Sequence, residues 1–223
     1  MIVSDSWTAQ AEEIAAAKPD LVIASVPYQL EAVGEILKSG VRFLGLAPRT
    51  LADVYADIAC IASIMNVPDR GAKVVEDVQA AVESIRQHYV GDALPQRVFC
   101  EEWGKPIIAS QTWVAELVAM AGGVFVAQPG QTVTSDEVAQ ALPDVILAAW
   151  CGAGNRVPLE RIVEQRGWTN LPAVRAGRVF CINDELLNTP ASSLLSGLRA
   201  IAWALHPKGS APPPGIRQIH TPL

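Results

Sequence analysis

Apolar residues follow two alternating patterns along the chain, one with the spacing of an amphipathic helix and one in short continuous runs. Helical spacing predicts helices over residues 6–18, 28–39, 50–65, 69–90, 110–121, 135–142, 158–165 and 190–205. The short runs between them predict strands over residues 21–25, 41–46, 97–102, 124–127, 145–150 and 178–182. Because strands separated by helices are typical of parallel sheets with right-handed crossovers, we expect an α/β fold.

Two local signals set helix boundaries within this pattern. Thr50 and Asp53 have the spacing of a capping box, so a helix is expected to begin after Thr50. Gly40 follows the apolar positions of residues 28–39, and glycine tolerates the left-handed conformation that commonly ends a helix. Thr50 marks the start of one helix and Gly40 the end of another, where hydrophobic spacing alone leaves the boundary ambiguous.

An internal repeat divides the chain. Residues 11–25 align without gaps on residues 135–149, and six of the paired positions are identical, including Pro19 with Pro143 and Asp20 with Asp144. A helix, a Pro-Asp pair and a strand therefore occur twice. The alternative is a coincidence of the kind that α/β sequences produce, but a second, looser match between the next strands favours two similar lobes.

The repeat leads to a division into two Rossmann-like lobes with parallel sheets. We assign residues 1–68 to an N-terminal lobe, 69–92 to a single long linking helix, 93–206 to a C-terminal lobe and 207–223 to a peripheral Pro-rich tail. The segments of the second lobe that begin at Arg97 and Ser110 have no counterparts in the first, because these would fall before Met1. We therefore expect the first lobe to be truncated at its N-terminus, with any export signal lost alongside.

Composition and charge exclude several classes of protein. The 223 residues carry 17 Lys and Arg against 23 Asp and Glu, a net charge of −6, and no basic cluster appears, which argues against nucleic-acid binding. No apolar run approaches the roughly 20 residues that span a bilayer, and the first residues do not have the pattern of a signal peptide. The four isolated cysteines are typical of buried small side chains rather than of disulfides or a metal site.

Ligands of parallel α/β lobes bind at the carboxyl ends of the strands. Trp103 and Trp150 lie at such ends, where exposed indoles would suit a large, flat, partly apolar ligand. The alternative is that each indole packs under its own loop. The repeat places the loop at residues 25–28 and the loop at residues 150–156 at equivalent positions of the two lobes, so both are expected to border one interlobe cleft.

Catalytic groups are poorly represented at these strand ends. His88, His206 and His220 all lie away from them, so no histidine is placed to act as a base or a metal ligand. Glu101 and Glu102 are adjacent on a strand and point to opposite faces, so at most one faces a cleft. We expect no enzyme, no metal site and no cofactor, with a two-lobed α/β enzyme as a remote alternative.

Four segments carry a resemblance to a known family, namely residues 15–24 (AAAKPDLVIA), 50–58 (TLADVYADI), 113–123 (WVAELVAMAGG) and 183–190 (NDELLNTP). The chain resembles the helical-backbone, or class III, substrate-binding proteins of ABC importers, and within them the vitamin B12-binding subgroup. The resemblance implies two lobes bridged by one stiff helix, reversible capture of a corrinoid between them, delivery to a membrane permease, and a periplasmic or lipid-anchored location. Ferric siderophore or haem binding is the alternative within the same fold.

The resemblance also implies site residues. For ligand binding these are Ser25, Pro27, Tyr28, Trp103, Trp150, Cys151 and Arg156. For docking on the permease, Glu31 matches the first acidic residue of the family, whereas Leu187 stands where the second is expected, so Glu185 is the nearest substitute. Arg49 and Arg156, also at strand ends, keep the siderophore reading open, because arginine pairs well with anionic oxygens.

Overall fold

The computed structural model describes residues 10–26, 30–89, 94–207 and 211–220 of a chain that divides into two units, Met1–Pro48 and Arg49–Leu223. The first unit contains helix α1 (Ala11–Ala16), strand β1 (Val22–Ser25), helix α2 (Leu30–Lys38) and strand β2 (Phe43–Leu46). Strands β1 and β2 pair in parallel, with Val22 opposite Phe43 and Ser25 opposite Leu46. Gly40 has φ +76°, which confirms its predicted role after α2.

Two helices open the second unit, α3 (Leu51–Ile64) and α4 (Pro68–Tyr89). The predicted capping box is confirmed: the Asp53 amide donates to Thr50 Oγ1 at 3.2 Å, and the Thr50 amide donates to Asp53 Oδ2 at 2.8 Å. Helix α4 has 22 residues, as long as the sequence predicts, and of these only Gly71 and Ile85 are buried.

A seven-stranded sheet forms the centre of the second unit. Its elements in chain order are β3 (Gln96–Gly104), β4 (Ile107–Ala109), α5 (Thr112–Met120), β5 (Gly123–Phe125), β6 (Thr132–Val133), α6 (Ser135–Gln140), β7 (Val145–Ala148), α7 (Leu159–Gln165), α8 (Pro172–Arg175), β8 (Val179–Ile182), α9 (Leu194–Leu205) and β9 (Ile216–Gln218). The strands lie in the order β6, β4, β3, β7, β8, β9, and β5 also pairs with β3. The pairs β3–β5, β3–β7 and β7–β8 are parallel, as predicted.

The sheet differs from the prediction at its edges. Strand β4 turns back antiparallel on β3, and the two-residue strand β6 extends it, so the sheet is mixed rather than wholly parallel. Strand β9 pairs antiparallel with β8 and Ile219 is buried, which corrects the expectation that everything after Pro207 is a peripheral tail. Strands of two or three residues are too short to show a readable alternation of apolar and polar positions.

Apolar side chains pack on both faces of this sheet. Val98, Cys100 and Leu147 belong to a cluster with helices α5 and α9, and Phe99 and Ile146 belong to a second cluster with α7 and α8. Neighbouring strand residues therefore face opposite clusters, as the two-residue period of a strand requires. None of the described helices is long and apolar enough to cross a bilayer.

Candidate functional site

A cleft of about 820 Å³ lies at the carboxyl ends of β3 and β7 in the second unit. Four segments line it: the β3–β4 hairpin around its turn, the first residue of α6, the loop after β7, and one side of α7 with the residues that flank it. The lining residues are Trp103, Gly104, Lys105, Pro106, Ile107, Ser135, Trp150, Cys151, Gly152, Ala153, Pro158, Arg161, Ile162, Gln165 and Arg166. The volume lies within the range of about 300–1,000 Å³ that small-molecule sites occupy.

Two indoles line this cleft and are held differently. Trp103 is 44% exposed, and its Nε1 donates to the backbone carbonyl of Lys105 at 3.0 Å. The Trp150 ring lies directly against the backbone of Gly104, where a Cβ atom would collide with the ring carbons. Any larger residue at position 104 would displace this ring, so the glycine permits the close contact.

A buried carboxylate fixes Trp150 from behind. Glu101 is 1% exposed, and its Oε1 accepts a hydrogen bond from Trp150 Nε1 at 2.7 Å. Its Oε2 accepts from Arg166 Nη1 at 2.6 Å, while Arg166 Nη2 donates to the Gly104 carbonyl at 3.1 Å. Burial raises the pKa of the Glu101 carboxyl, and the hydrogen bonds and charge of Arg166 oppose that shift. Both oxygens of the carboxylate are therefore engaged inside the protein.

The side chain of Glu102 points to the opposite face of β3 from that of Glu101, because successive strand residues alternate between the two faces. Its Oε1 accepts a hydrogen bond from Gln111 Nε2. Burial raises the pKa of the Glu102 carboxyl, and the hydrogen bond from Gln111 lowers it by a smaller amount. Neither Glu101 nor Glu102 lines the cleft.

The loop after β7 is tied to the segment that follows β8. The Asp184 carboxylate accepts hydrogen bonds from the amides of Gly152 and Gly154 at 2.7 and 2.9 Å. Asn188 Nδ2 donates to the Ala149 carbonyl at 2.6 Å and to Cys151 Sγ at 3.2 Å. Partial burial of the sulfur is the main cause that raises the pKa of the Cys151 thiol, so the thiol stays protonated at neutral pH.

Of the residues that the sequence assigns to ligand binding, Trp103, Trp150 and Cys151 line this one cleft. Arg156 does not, because its guanidinium donates back to the Ala153 and Gly152 carbonyls of its own loop at 3.1 and 3.3 Å. Its role in binding stays a prediction without support from the cleft geometry.

The remaining assigned residues lie in the first unit or outside this cleft. Ser25 ends β1, and its Oγ is buried without a hydrogen-bond partner in the described part of the chain. Pro27 and Tyr28 lie outside the described residues. Glu31, in the first turn of α2, and Glu185, in the short 3₁₀ helix Asp184–Leu186, are both exposed, so their docking role stays a prediction.

Several cleft residues were not predicted. Arg161 and Gln165 lie on α7, whose Leu159 and Val163 are buried in the core, and Arg166 is the residue that caps its C-terminal end. Arg161 and Gln165 are four residues apart and share a face of this helix, a periodicity that could have drawn attention to them. Lys105 lies in the turn between β3 and β4, and its place in the cleft depends on a hairpin that was not predicted.

Potential metal ligands do not gather in this region. Within the described ranges, no three His, Cys, Asp or Glu residues come together in a way that could hold a metal ion. The four cysteines are free thiols; Cys100 and Cys181 are buried as expected, but Cys60 and Cys151 are exposed, contrary to that expectation.

Comparison with known proteins identifies the family. A sequence model of the periplasmic binding protein family matches residues 2–186. The chain belongs to this family. Its relatives include the vitamin B12-binding protein of Vibrio cholerae serotype O1, 25% identical over 214 residues that cover 91% of this chain and 74% of the relative.

Solved structures of other periplasmic binding proteins share the fold. A periplasmic heme-binding protein from Pseudomonas aeruginosa superposes with a TM-score of 0.84 at 18% identity, covering 97% of this chain and 82% of its own. The periplasmic vitamin B12-binding protein BtuF of Vibrio cholerae gives a TM-score of 0.69 at 24% identity, covering 91% and 80%. The predicted α/β fold of two-lobed periplasmic binding proteins is thereby confirmed.

Membership of this family also settles the general role that the sequence predicts. The chain is the substrate-binding component of an ABC importer, and its relatives are binding proteins rather than enzymes.

Proposed function

We propose that this periplasmic binding protein captures a corrinoid, a ligand of the vitamin B12 type, and delivers it to a membrane permease. The observation that carries the proposal is the cleft at the ends of β3 and β7, where two indoles face a space large enough for part of a macrocycle. The similarity to vitamin B12-binding proteins supports the same ligand.

The cleft has the mixture of surfaces that a corrin requires. A corrin is a broad apolar ring with amide side groups, so it needs both flat apolar contacts and hydrogen-bonding groups. Trp103 supplies an exposed ring, and Trp150 supplies one whose position is fixed by Glu101 and Gly104. Ser135 and Gln165 line the same space and supply polar groups for the amides.

The chemistry of the site favours reversible capture over a covalent step. The Cys151 thiol, the one thiol among the described residues of the cleft lining, has a raised pKa and little thiolate character. The nearby Glu101 and Asp184 carboxylates already accept hydrogen bonds from the protein's own donors. We therefore expect a bound ligand to be held by noncovalent contacts alone.

Delivery requires a second surface, for which Glu31 and Glu185 are our candidates. Both side chains are exposed, so each is accessible to a basic partner. The proposed location is periplasmic, or lipid-anchored outside the cytoplasmic membrane. Charge reversal of both residues is expected to abolish stimulation of the permease's ATPase in proteoliposomes while ligand affinity stays unchanged. Full stimulation by the doubly reversed protein would exclude them.

Haem or a ferric siderophore is the second candidate ligand. It is favoured by the basic groups Lys105 and Arg161 in the cleft lining, which suit the anionic oxygens of such ligands. The fold shared with a periplasmic heme-binding protein is compatible with this alternative.

A titration separates these ligands. Cyanocobalamin, haemin and a ferric hydroxamate siderophore are added in turn to the protein while the tryptophan emission is recorded. Saturable quenching by cyanocobalamin at micromolar concentration or below, a binding free energy of about −8 kcal/mol or better, is the expected result. Quenching by haemin or the siderophore alone would move the assignment to the second candidate.

Matched variants locate the binding. Trp103→Phe and Trp150→Phe are expected to weaken binding of cyanocobalamin by about tenfold each, because a smaller ring loses stacking area. Trp203→Phe is the control, because Trp203 is buried in the cluster with α9, away from the cleft. If all three variants bind as the wild type does, the ligand lies elsewhere.

A further inference from the structure

The charge of the cleft lining is one-sided. Among the described residues that line it, the charged side chains are Lys105, Arg161 and Arg166, and none is acidic. The chain as a whole carries an excess of acidic residues, so the sign of this surface is opposite to that of the protein. A concave surface with one sign of charge concentrates ions of the opposite sign.

The positive charge of Arg166 is already paired with a carboxylate inside the protein. Its side chain is 10% exposed and forms an ion pair with Glu101 at 2.6 Å, and its guanidinium lies 4.8 Å from the centre of the Trp168 ring. Arg166 and Glu101 therefore neutralise each other behind the cleft wall.

Lys105 and Arg161 lack such a partner. None of the ion pairs in the described parts of the chain includes either residue, although Glu164 lies one turn from Arg161 on α7. Each carboxylate oxygen of Glu101 and Asp184 already accepts a hydrogen bond from another donor. Two cations thus line the same cleft without an ion pair to any carboxylate of the residues that the structure describes.

We infer that the cleft binds an anionic group of its ligand through Lys105 and Arg161. The inference rests on the proposed function, because it concerns the molecule captured in that cleft, and it narrows the ligand to a flat ring that carries a phosphodiester or carboxylate. The indoles bind the ring, and the two cations at the turn after β3 and on α7 bind the acidic group. Arginine and lysine form strong charge-assisted hydrogen bonds with either group.

The first experiment measures the charge of the cleft without any ring ligand. Iodide and caesium quench the emission of accessible indoles, and Trp103 is the most exposed of the described tryptophans, whereas Trp113, Trp168 and Trp203 are buried. At low salt, Lys105→Gln with Arg161→Gln is expected to lower the iodide quenching constant about twofold and to raise that of caesium. Arg70→Gln is the control: Arg70 is exposed on α4, and its substitution removes a positive charge that is not part of the cleft lining.

The second experiment measures affinity with two probes that carry an anionic group, cyanocobalamin with its phosphodiester and haemin with its two carboxylates. For whichever probe binds the wild type, Arg161→Gln and Lys105→Gln are each expected to weaken binding about tenfold. Arg161→Lys should retain most of the affinity, and Arg161→Glu should lose more than Arg161→Gln. The losses should shrink at high salt.

The outcomes separate the inference from the proposed function. Selective loss of iodide access together with weaker binding of a probe supports both. If the double variant selectively loses iodide access but the wild type binds neither probe, the cleft still attracts anions and the proposed ligand is overturned. Unchanged iodide access, or unchanged affinity of a bound probe in the doubly substituted variant, overturns the inference whatever the ligand is.

Discussion

Residues 11–25 and residues 135–149 build the same local structure in two different settings. Each copy begins with a six-residue helix, α1 or α6, and ends in a four-residue strand, β1 or β7. Between helix and strand, Lys18 has φ +49° and Leu142 has φ +45°, at matching positions directly before the repeated Pro-Asp pair. The repeat seen in the sequence is therefore a repeat of backbone conformation.

The two copies differ in what surrounds them. Strand β7 lies between β3 and β8, and all four of its residues are buried. Strand β1 belongs to a two-stranded sheet in the described part of the first unit, and its Ile23 is 39% exposed. Local sequence thus determines the turn and the strand, whereas neighbouring strands and helices determine how much of the strand is buried.

The largest loss of stability is expected at Glu101, which accepts a hydrogen bond from Trp150. Trp150 directly follows the second copy of the repeat and occupies the position that Val26 has after the first copy. Glu101→Ala should lower the free energy of unfolding by about 3–5 kcal/mol, because it leaves the buried Arg166 without its counter-charge and Trp150 Nε1 without its acceptor. Urea unfolding at neutral pH measures this loss.

Two further variants test the cause of that loss. Glu101→Gln keeps an acceptor for Trp150 and should cost less than the alanine variant. Arg166→Ala combined with Glu101→Ala should cost less than the sum of the single changes, because the two side chains interact directly. Simple additivity would show that the ion pair does not stabilise the fold.

A comparison of equivalent strand residues should give the next largest effect. Leu147→Ala removes a side chain with no exposed surface, and a loss of about 2–5 kcal/mol is expected because a cavity remains. Ile23→Ala, at the matching position of the first copy, should cost less than about 1 kcal/mol. Equal shifts of the urea midpoint in the two variants would contradict the conclusion that Leu147 is more buried than Ile23.

The smallest loss of stability is expected at the start of α6, the helix of the second copy of the repeat. Thr134 and Glu137 form a capping box, and Gln10 stands at the position of Thr134 in the first copy. Thr134→Gln should lower stability by about 1 kcal/mol, because glutamine is a poor N-cap. Thermal unfolding of wild type and variant at pH 7 measures it.

The same capping box predicts a pH dependence. The hydrogen bond from the Thr134 amide lowers the pKa of the Glu137 carboxyl. The folded-state pKa thus lies below the unfolded one, so the stabilisation is present above the unfolded pKa and is lost as the pH falls through the lowered folded-state pKa. The advantage of wild type over Glu137→Gln should therefore disappear in acid. An advantage that persists there would exclude this cause.

The order of the main helices and strands could be predicted from the sequence because each is marked by its own local pattern. The runs at β7 and β8 are continuous and apolar, as expected of strands that are covered on both faces. The hairpin of β3 with β4 and the return of β9 to the sheet were not predictable in this way, because two or three residues carry too little pattern and their pairing is decided by distant strands.

The candidate site was predicted where a residue lies at or just after the carboxyl end of a strand. Trp103 and Trp150 could be selected on that ground, since the ends of parallel strands lie at one edge of a sheet. Arg161 and Lys105 reach the cleft through a helix and a hairpin turn, so their selection requires the packed structure. Arg156 follows a strand too, but hydrogen bonds within its loop turn the guanidinium away, which no spacing rule reveals.

Strand β9 also bears on how the protein behaves at high concentration. By pairing with β8 it occupies backbone groups that would otherwise form an open sheet edge, a surface on which a second polypeptide can add a strand. Arg217 of the same strand donates to the carbonyls of Asn155 and Val157 beside the binding loop. Removing residues 211–220 is therefore expected to expose this edge of β8 and to loosen the loop before α7, so that one deletion lowers both solubility and ligand affinity.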